Sequence, residues 1–284
     1  MKKWLGVFLV VLTVVASAVP ALAQATLDKI KQAGVLTAGT RTASIPFAFI
    51  NEKNEWIGFS IDFLEVVRDR LEKKLGKPIK LEKKEVTPQT RIPLVANRTI
   101  DVECGSTTYT RGRDETVDFS INFFFTGSQL LVKKGSGVKT LADVAGKRVG
   151  AAQGTTNEKA VRAQQPRADL VTFQDHGAGF LALEQGKIVA YVTDGILLAG
   201  LAAKAKNPKD YEVAGDFFTK DPYSCIVAEN DSKWRDFINH TLMELIDNGK
   251  YFEMYDKWFG EKGVVQYPMS AQVRNFMIMQ SMPE

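Results

Sequence analysis

Histidine and cysteine are scarce, with two of each in 284 residues. Only His176 and His240 are available and no C-x-x-C pair occurs, so the ligand set for a zinc site is missing. An excess of one charge is missing as well: 37 Lys plus Arg face 33 Asp plus Glu. That balance supplies no basic stripe and excludes a dedicated nucleic-acid binder. There is no G-x-S-x-G elbow, no G-x-G-x-x-G loop, no phosphate loop with its lysine and no H-E-x-x-H helix. No catalytic residue, metal or cofactor is expected. What is present is ordinary globular material, 45% hydrophobic and 25% charged, which excludes a disordered or collagen-like chain. At this length two cores are expected rather than one.

The first residues have a separate task. Lys2 and Lys3 precede an apolar run from Leu5 to Val19, and Pro20 leads into Ala21-Leu22-Ala23. Basic start, short apolar stretch and small-x-small site read as a secretory signal peptide over 1–23, with Gln24 opening the mature chain. The run is short for a bilayer span, and no cysteine stands at the cleavage site to accept a lipid anchor. The signal takes two lysines and no carboxylate with it, so a formal charge of +4 becomes 35 − 33 = +2 in the exported product. Export implies an oxidising compartment, where one disulfide is the simplest use of Cys104 and Cys225; two buried thiols are the alternative.

Along the mature chain, apolar periodicity alternates between the two regular structures. A helix over Leu27–Ala33 stops at Gly34, and Val35–Thr40 reads as a strand. Phe59–Leu75 is helical, Ile79–Val86 a strand, Gln89–Asn97 a helix and Asp101–Glu103 a strand. The pattern recurs with strands at Arg148–Ala151, Leu170–Phe173 and Ile188–Val192, and helices at Thr156–Gln164, Gly177–Gln185 and Ile196–Ala205. Strand–helix–strand repetition predicts two parallel α/β blocks, near 35–120 and 145–215. Phe123–Val132 joins them, Tyr223–Val227 is the counterpart on the way back, and helices at Trp234–Asn248 and Tyr251–Trp258 close the chain. A Cys104–Cys225 bridge would require two crossovers, a hinged clam rather than beads on a string.

Ligands of open parallel sheets lie beyond the carboxyl ends of the strands. The side chains placed there are Arg41, Arg91, Ser106, Thr108, Arg113, Thr155, Thr156, His176 and Asp194. Guanidinium groups recognise carboxylates bidentately, so three arginines and a histidine against one carboxylate describe a pocket for an anion that carries one cation. An acidic α-amino acid fits. Arg113 with Ser106 or Thr108 would hold the α-carboxylate, Asp194 the α-ammonium, and Arg41, Arg91 and His176 the distal carboxylate. An arginine-rich cleft is a poor host for a neutral sugar. Each residue alone also has a bland reading: Ser106–Thr108 as a cap, His176 as a packed core residue, Asp194-Gly195 as a turn or N-cap.

Taken in order, Gly39-Thr40-Arg41, Gly58-Phe59-Ser60-Ile61-Asp62, Gln89-Thr90-Arg91-Ile92-Pro93-Leu94, Glu103-Cys104-Gly105-Ser106-Thr107-Thr108, Gly154-Thr155-Thr156 and Asp175-His176-Gly177 carry a resemblance. The mature chain resembles the periplasmic solute-binding proteins of polar amino-acid ABC transporters, in particular the subgroup for L-glutamate and L-aspartate. The resemblance implies a type II periplasmic binding protein-like α/β fold, two lobes joined by two hinge strands. It divides the chain into lobe one at 24–125, lobe two at 126–221, a return to lobe one at 222–263 and a C-terminal tail at 264–284. It also implies a monomer in the periplasm of a Gram-negative bacterium, delivering its ligand to a membrane permease by hinge closure. Under it Arg113 and Thr108 would bind the α-carboxylate and Asp194 the ammonium. Arg41, Arg91, Ser106 and His176 would bind the distal carboxylate, with Thr155 or Thr156 reaching in from lobe two and Cys104–Cys225 as the disulfide. One departure stands out: Pro88 occupies a place where that subgroup can put a ligand-facing serine, a loss for which Thr87 or Thr90 would have to compensate. A glutamine/asparagine-binding protein of the same class and a secreted α/β enzyme remain the alternatives.

Overall fold

A computed structural model describes residues 25–281. The expected signal peptide lies outside the described residues. Helix α1 (Thr26–Ala33) ends at Gly34 in the left-handed conformation and turns the chain into β1 (Val35–Thr40). A small antiparallel sheet follows, β2 (Ala43–Ser44), β3 (Ala48–Ile50) and β4 (Trp56–Ile57). Next come α2 (Phe59–Leu75), β5 (Lys80–Glu85), α3 (Arg91–Ala96), β6 (Val102–Glu103), α4 (Arg111–Asp114) and the long β7 (Val117–Thr126). Lobe two holds β8 (Ser128–Lys133), β9 (Arg148–Ala152), α5 (Thr156–Gln164), β10 (Asp169–Phe173) and α6 (His176–Glu184). It continues with β11 (Ala190–Asp194), α7 (Gly195–Ala203) and β12 (Tyr211–Ala214). The chain then returns through β13 (Asp221–Ala228) to α8 (Ser232–Asp247), α9 (Lys250–Phe259) and α10 (Ala271–Ile278).

Two sheets form. In lobe one the order is β5-β1-β6-β13-β7; in lobe two it is β10-β9-β11-β8-β12. In each, four strands run in one direction and one runs against them, β13 in lobe one and β8 in lobe two. The reversed strand in each sheet is the one that enters from the other lobe, at the end of the sheet that faces the cleft, and so runs against the βαβ direction. Thr126 pairs with Asp221 where the two crossings lie side by side. Cys104 and Cys225 are bridged, tying the returning strand to the site loop. This is the two-lobe α/β architecture with linking strands that the strand–helix alternation predicts.

The lobe-one core gathers Leu36, Phe47, Phe59, Phe124, Trp234 and Phe259, and it also takes in Ile196 and Leu197 from α7 of lobe two. The lobes therefore touch, and the cleft is closed. Lobe two has separate apolar clusters on the two faces of its sheet. The tail joins lobe one: Met277 is buried there, and Gln280 Nε2 donates to the Asn122 carbonyl at 2.9 Å. No helix among the described residues is long and apolar enough to cross a membrane.

Candidate functional site

The carboxyl ends of both sheets face each other across the cleft. Arg41 follows β1, Arg91 opens α3, and Ser106 and Thr108 follow β6. From lobe two come Thr155 and Thr156 at the start of α5, His176 at the start of α6 and Asp194 at the end of β11. These eight residues line one cavity, with Asn157, Thr193 and Leu197 completing the wall. Its open volume in this closed conformation is only about 10 Å³, room for about one water, so an amino acid enters only as the lobes part. A larger, open groove runs between Thr42–Lys53 and Lys204–Lys206, but the charged and hydroxyl groups converge on the small cavity.

Arg113 does not line it. Its guanidinium donates to the Thr108 carbonyl at 2.8 Å and across the cleft to the Gly154 carbonyl at 3.2 Å. It therefore ties the lobes together beside the cavity. Arg41 is 1% exposed, and neither of its terminal nitrogens has a partner in the protein. Arg91 donates to the Ser106 carbonyl at 3.0 Å, and its Nε is buried without a partner. Such orphaned donors are costly, and cationic ones call for an anion.

Burial pushes the Arg41 guanidinium down to about 10, with Arg91 adding to the fall and Glu103 opposing it. Arg113 falls to about 10 for the same leading cause. Both remain cations at neutral pH. His176 is held well below its ordinary value by burial and then by Arg41 and Arg91, so its ring is neutral. Its Nδ1 lies 2.9 Å from the Tyr191 hydroxyl, which burial keeps protonated. If the phenol donates, Nδ1 accepts and Nε2 carries the ring proton, available to an anion. The opposite tautomer would orphan the buried phenol proton.

Asp194 sits at the N-cap position of α7 but does not cap it. Its carboxylate instead accepts from Asn157 Nδ2 at 2.8 Å and from the Tyr223 hydroxyl. Burial, then the nearby Asp221 carboxylate, pushes it up to about 7, against the pull of those two hydrogen bonds. A cation arriving here would relieve it. Asp221 collects the hydroxyls of Thr108 at 2.9 Å and Thr156 at 3.0 Å, one from each lobe. A hydroxyl has one proton, so in this conformation neither Thr donates its hydroxyl to a ligand. Thr155 caps α5, accepting from Glu158 N–H and donating to the Ala152 carbonyl. What these threonines present is the helix N-terminus, whose first N–H groups are free for an anion. Thr87 and Thr90 bond each other at 3.1 Å, at an exposed turn, and do not replace the hydroxyl absent at Pro88.

Residues 36–261 match the model of the bacterial extracellular solute-binding proteins, family 3. The chain belongs to that family. It is a solute-binding protein and not an enzyme. It is 38% identical over 263 residues to the L-glutamate/L-aspartate-binding protein of Pseudomonas aeruginosa, covering 89% of this chain and 87% of that one. It is 35% identical over 238 residues to the ABC transporter glutamine-binding protein GlnH of Bacillus subtilis, covering 83% and 85%. Among solved structures, a mutant of ArgBP from T. maritima superposes with a TM-score of 0.77 at 31% identity, covering 83% of this chain and 100% of the other.

Sequence reasoning passed over Asn157, Asp221, Tyr223 and Glu103. Asn157 carried a readable signal, since it lies in the first turn of a helix that follows a strand. Asp221 and Tyr223 reach the site only because the chain returns through β13.

Proposed function

We propose that this solute-binding protein captures a free acidic amino acid, L-glutamate or L-aspartate, in the periplasm and hands it to the permease of an ABC transporter. One observation carries the reading: the Arg41 terminal nitrogens and Arg91 Nε are buried donors with no partner in the protein, beside a neutral His176. A distal carboxylate supplies two acceptor oxygens where these nitrogens lack any. The α-ammonium goes to Asp194, and the α-carboxylate to the N-terminus of α5 and the Ser106–Thr108 loop, which Arg113 braces from beside the cavity. Ligand groups held from both lobes favour the closed form, so capture works by shifting an open–closed equilibrium.

Glutamine is the second reading, favoured by the identity to a glutamine-binding relative. Calorimetry of the mature protein with the common amino acids separates them. The acids are expected to bind more tightly than their amides and far more tightly than arginine or leucine. An amide or a basic amino acid as the tightest ligand would overturn the reading.

A further inference from the structure

Glu103 is not used by any part of the mechanism above. It is 0% exposed, the second residue of β6, directly before the disulfide and the Ser106–Thr108 loop. One carboxylate oxygen, Oε2, accepts from the Thr107 hydroxyl at 2.5 Å; the other, Oε1, is buried with no partner. No arginine or lysine lies within ion-pair distance of it among the described residues. Gly105 shows where that free oxygen sits. A Cβ at position 105 would overlap Glu103 Oε1 and stand 3.8 Å from Arg41 Cγ. The carboxylate is thus packed against the glycine that separates it from the Arg41 stem. Its field reaches Arg41, Arg91 and Arg113 alike, and at each it opposes the effect of burial.

A buried carboxylate that is neither paired nor solvated is expensive, and a solely structural role would be served as well by a neutral amide. Its charge has a use here. It compensates part of the positive potential of the arginines when no ligand is present, and it opposes the entry of further negative charge. We propose that Glu103 is a positioning residue that sets acid-versus-amide selectivity by holding down the positive potential of the distal carboxylate subsite. This rests on the acidic-ligand reading and adds to it the residue that limits the preference. The same field limits how tightly an anion is held, which favours release once the cleft opens.

The test is calorimetry with L-glutamate and L-glutamine on the wild-type protein and on Glu103→Gln. The variant keeps shape and an acceptor for Thr107 while removing the charge. At an effective protein dielectric of about 20, removing a unit charge roughly 10 Å away changes an equilibrium on the order of tenfold. The ratio of the glutamine Kd to the glutamate Kd is therefore expected to rise about tenfold in Glu103→Gln, by tighter glutamate binding relative to glutamine. Thr107→Val, which loosens the carboxylate but keeps its charge, is expected to leave the ratio within about threefold of wild type. A ratio that is unchanged or lower in Glu103→Gln, including an equal loss for both ligands, overturns the inference. If that variant does not fold, Glu103→Asp withdraws the charge by one methylene and must move the ratio the same way by less; no movement overturns it. Wild-type protein that binds neither acid overturns the acidic-ligand reading, and this inference with it.

Discussion

Replacing Arg41 with Met removes a buried cation whose terminal nitrogens have nothing to bond in the protein. Two consequences of opposite sign follow. In the closed, ligand-free protein, burial holds the guanidinium down to about 10, and at 1.36 kcal/mol per unit that fall costs about 3 kcal/mol. For a cation with a depressed folded-state pKa, the cost is present at neutral pH and vanishes only when the group deprotonates. Opening the cleft hydrates Arg41 and relieves part of it, so 3 kcal/mol is a ceiling. With the ligand bound, Arg41 instead holds a desolvated carboxylate, and truncating such a pair costs about 2–5 kcal/mol. That range is a loss of roughly 30-fold to several thousand-fold in affinity. Calorimetry should show glutamate binding weakened by at least that lower bound. Differential scanning calorimetry should show a ligand-free melting temperature no lower than wild type, with most of the ligand-induced rise gone. Glutamate affinity within twofold of wild type would refute the placement of the distal carboxylate. A large drop in ligand-free stability would show that Arg41 is held for packing instead.

Asp194 is pushed up to about 7, chiefly by burial and then by Asp221. Acidification through that region protonates the group that must face the ligand's ammonium, so wild-type Kd should rise between about pH 8 and pH 5, while Asp194→Asn binds weakly and without that dependence. A wild-type Kd that is flat over the same range would sink this assignment. Gly200 on α7 faces lobe one, and a Cβ there would overlap the Ile45 carbonyl oxygen. Gly200→Ala should hold or raise the melting temperature, since Ala favours a helix by up to about 1 kcal/mol, yet weaken glutamate binding by obstructing closure. Wild-type affinity in that variant would mean that binding does not require the closed contact.

The strand–helix alternation and its punctuation were legible because they are local. Gly34 and Gly76 end helices in the left-handed conformation, and apolar spacing marks the faces that pack. The positions of Arg41, Arg91, His176 and Asp194 could be read for a related reason: each lies at the end of a strand or in the segment that follows it, and in a parallel sheet that end faces the ligand. The Ile79–Val86 strand was readable to within a residue at each end, the sheet running Lys80–Glu85. The residue chemistry also narrowed the ligand class, since guanidiniums gathered around one carboxylate suit few small molecules.

Partnership was a different matter. Nothing near Asp194 in the chain says whether it caps α7, makes a turn or faces a ligand. Its hydrogen bonds to Asn157, across lobe two, and to Tyr223, on the returning strand β13, span 37 and 29 positions, so the local sequence shows neither. The hydroxyls of Thr108 and Thr156 were readable as ligand donors, and Asp221, 113 and 65 positions away, takes them instead. Arg113 likewise reaches the Gly154 carbonyl of the opposite lobe and leaves the cavity wall. Local order along the chain determines which residues arrive at the rim, because a strand end is a local event. Which of them remain free for a ligand is decided by the closed tertiary structure, since a polar atom is available only after every nearer partner has been counted.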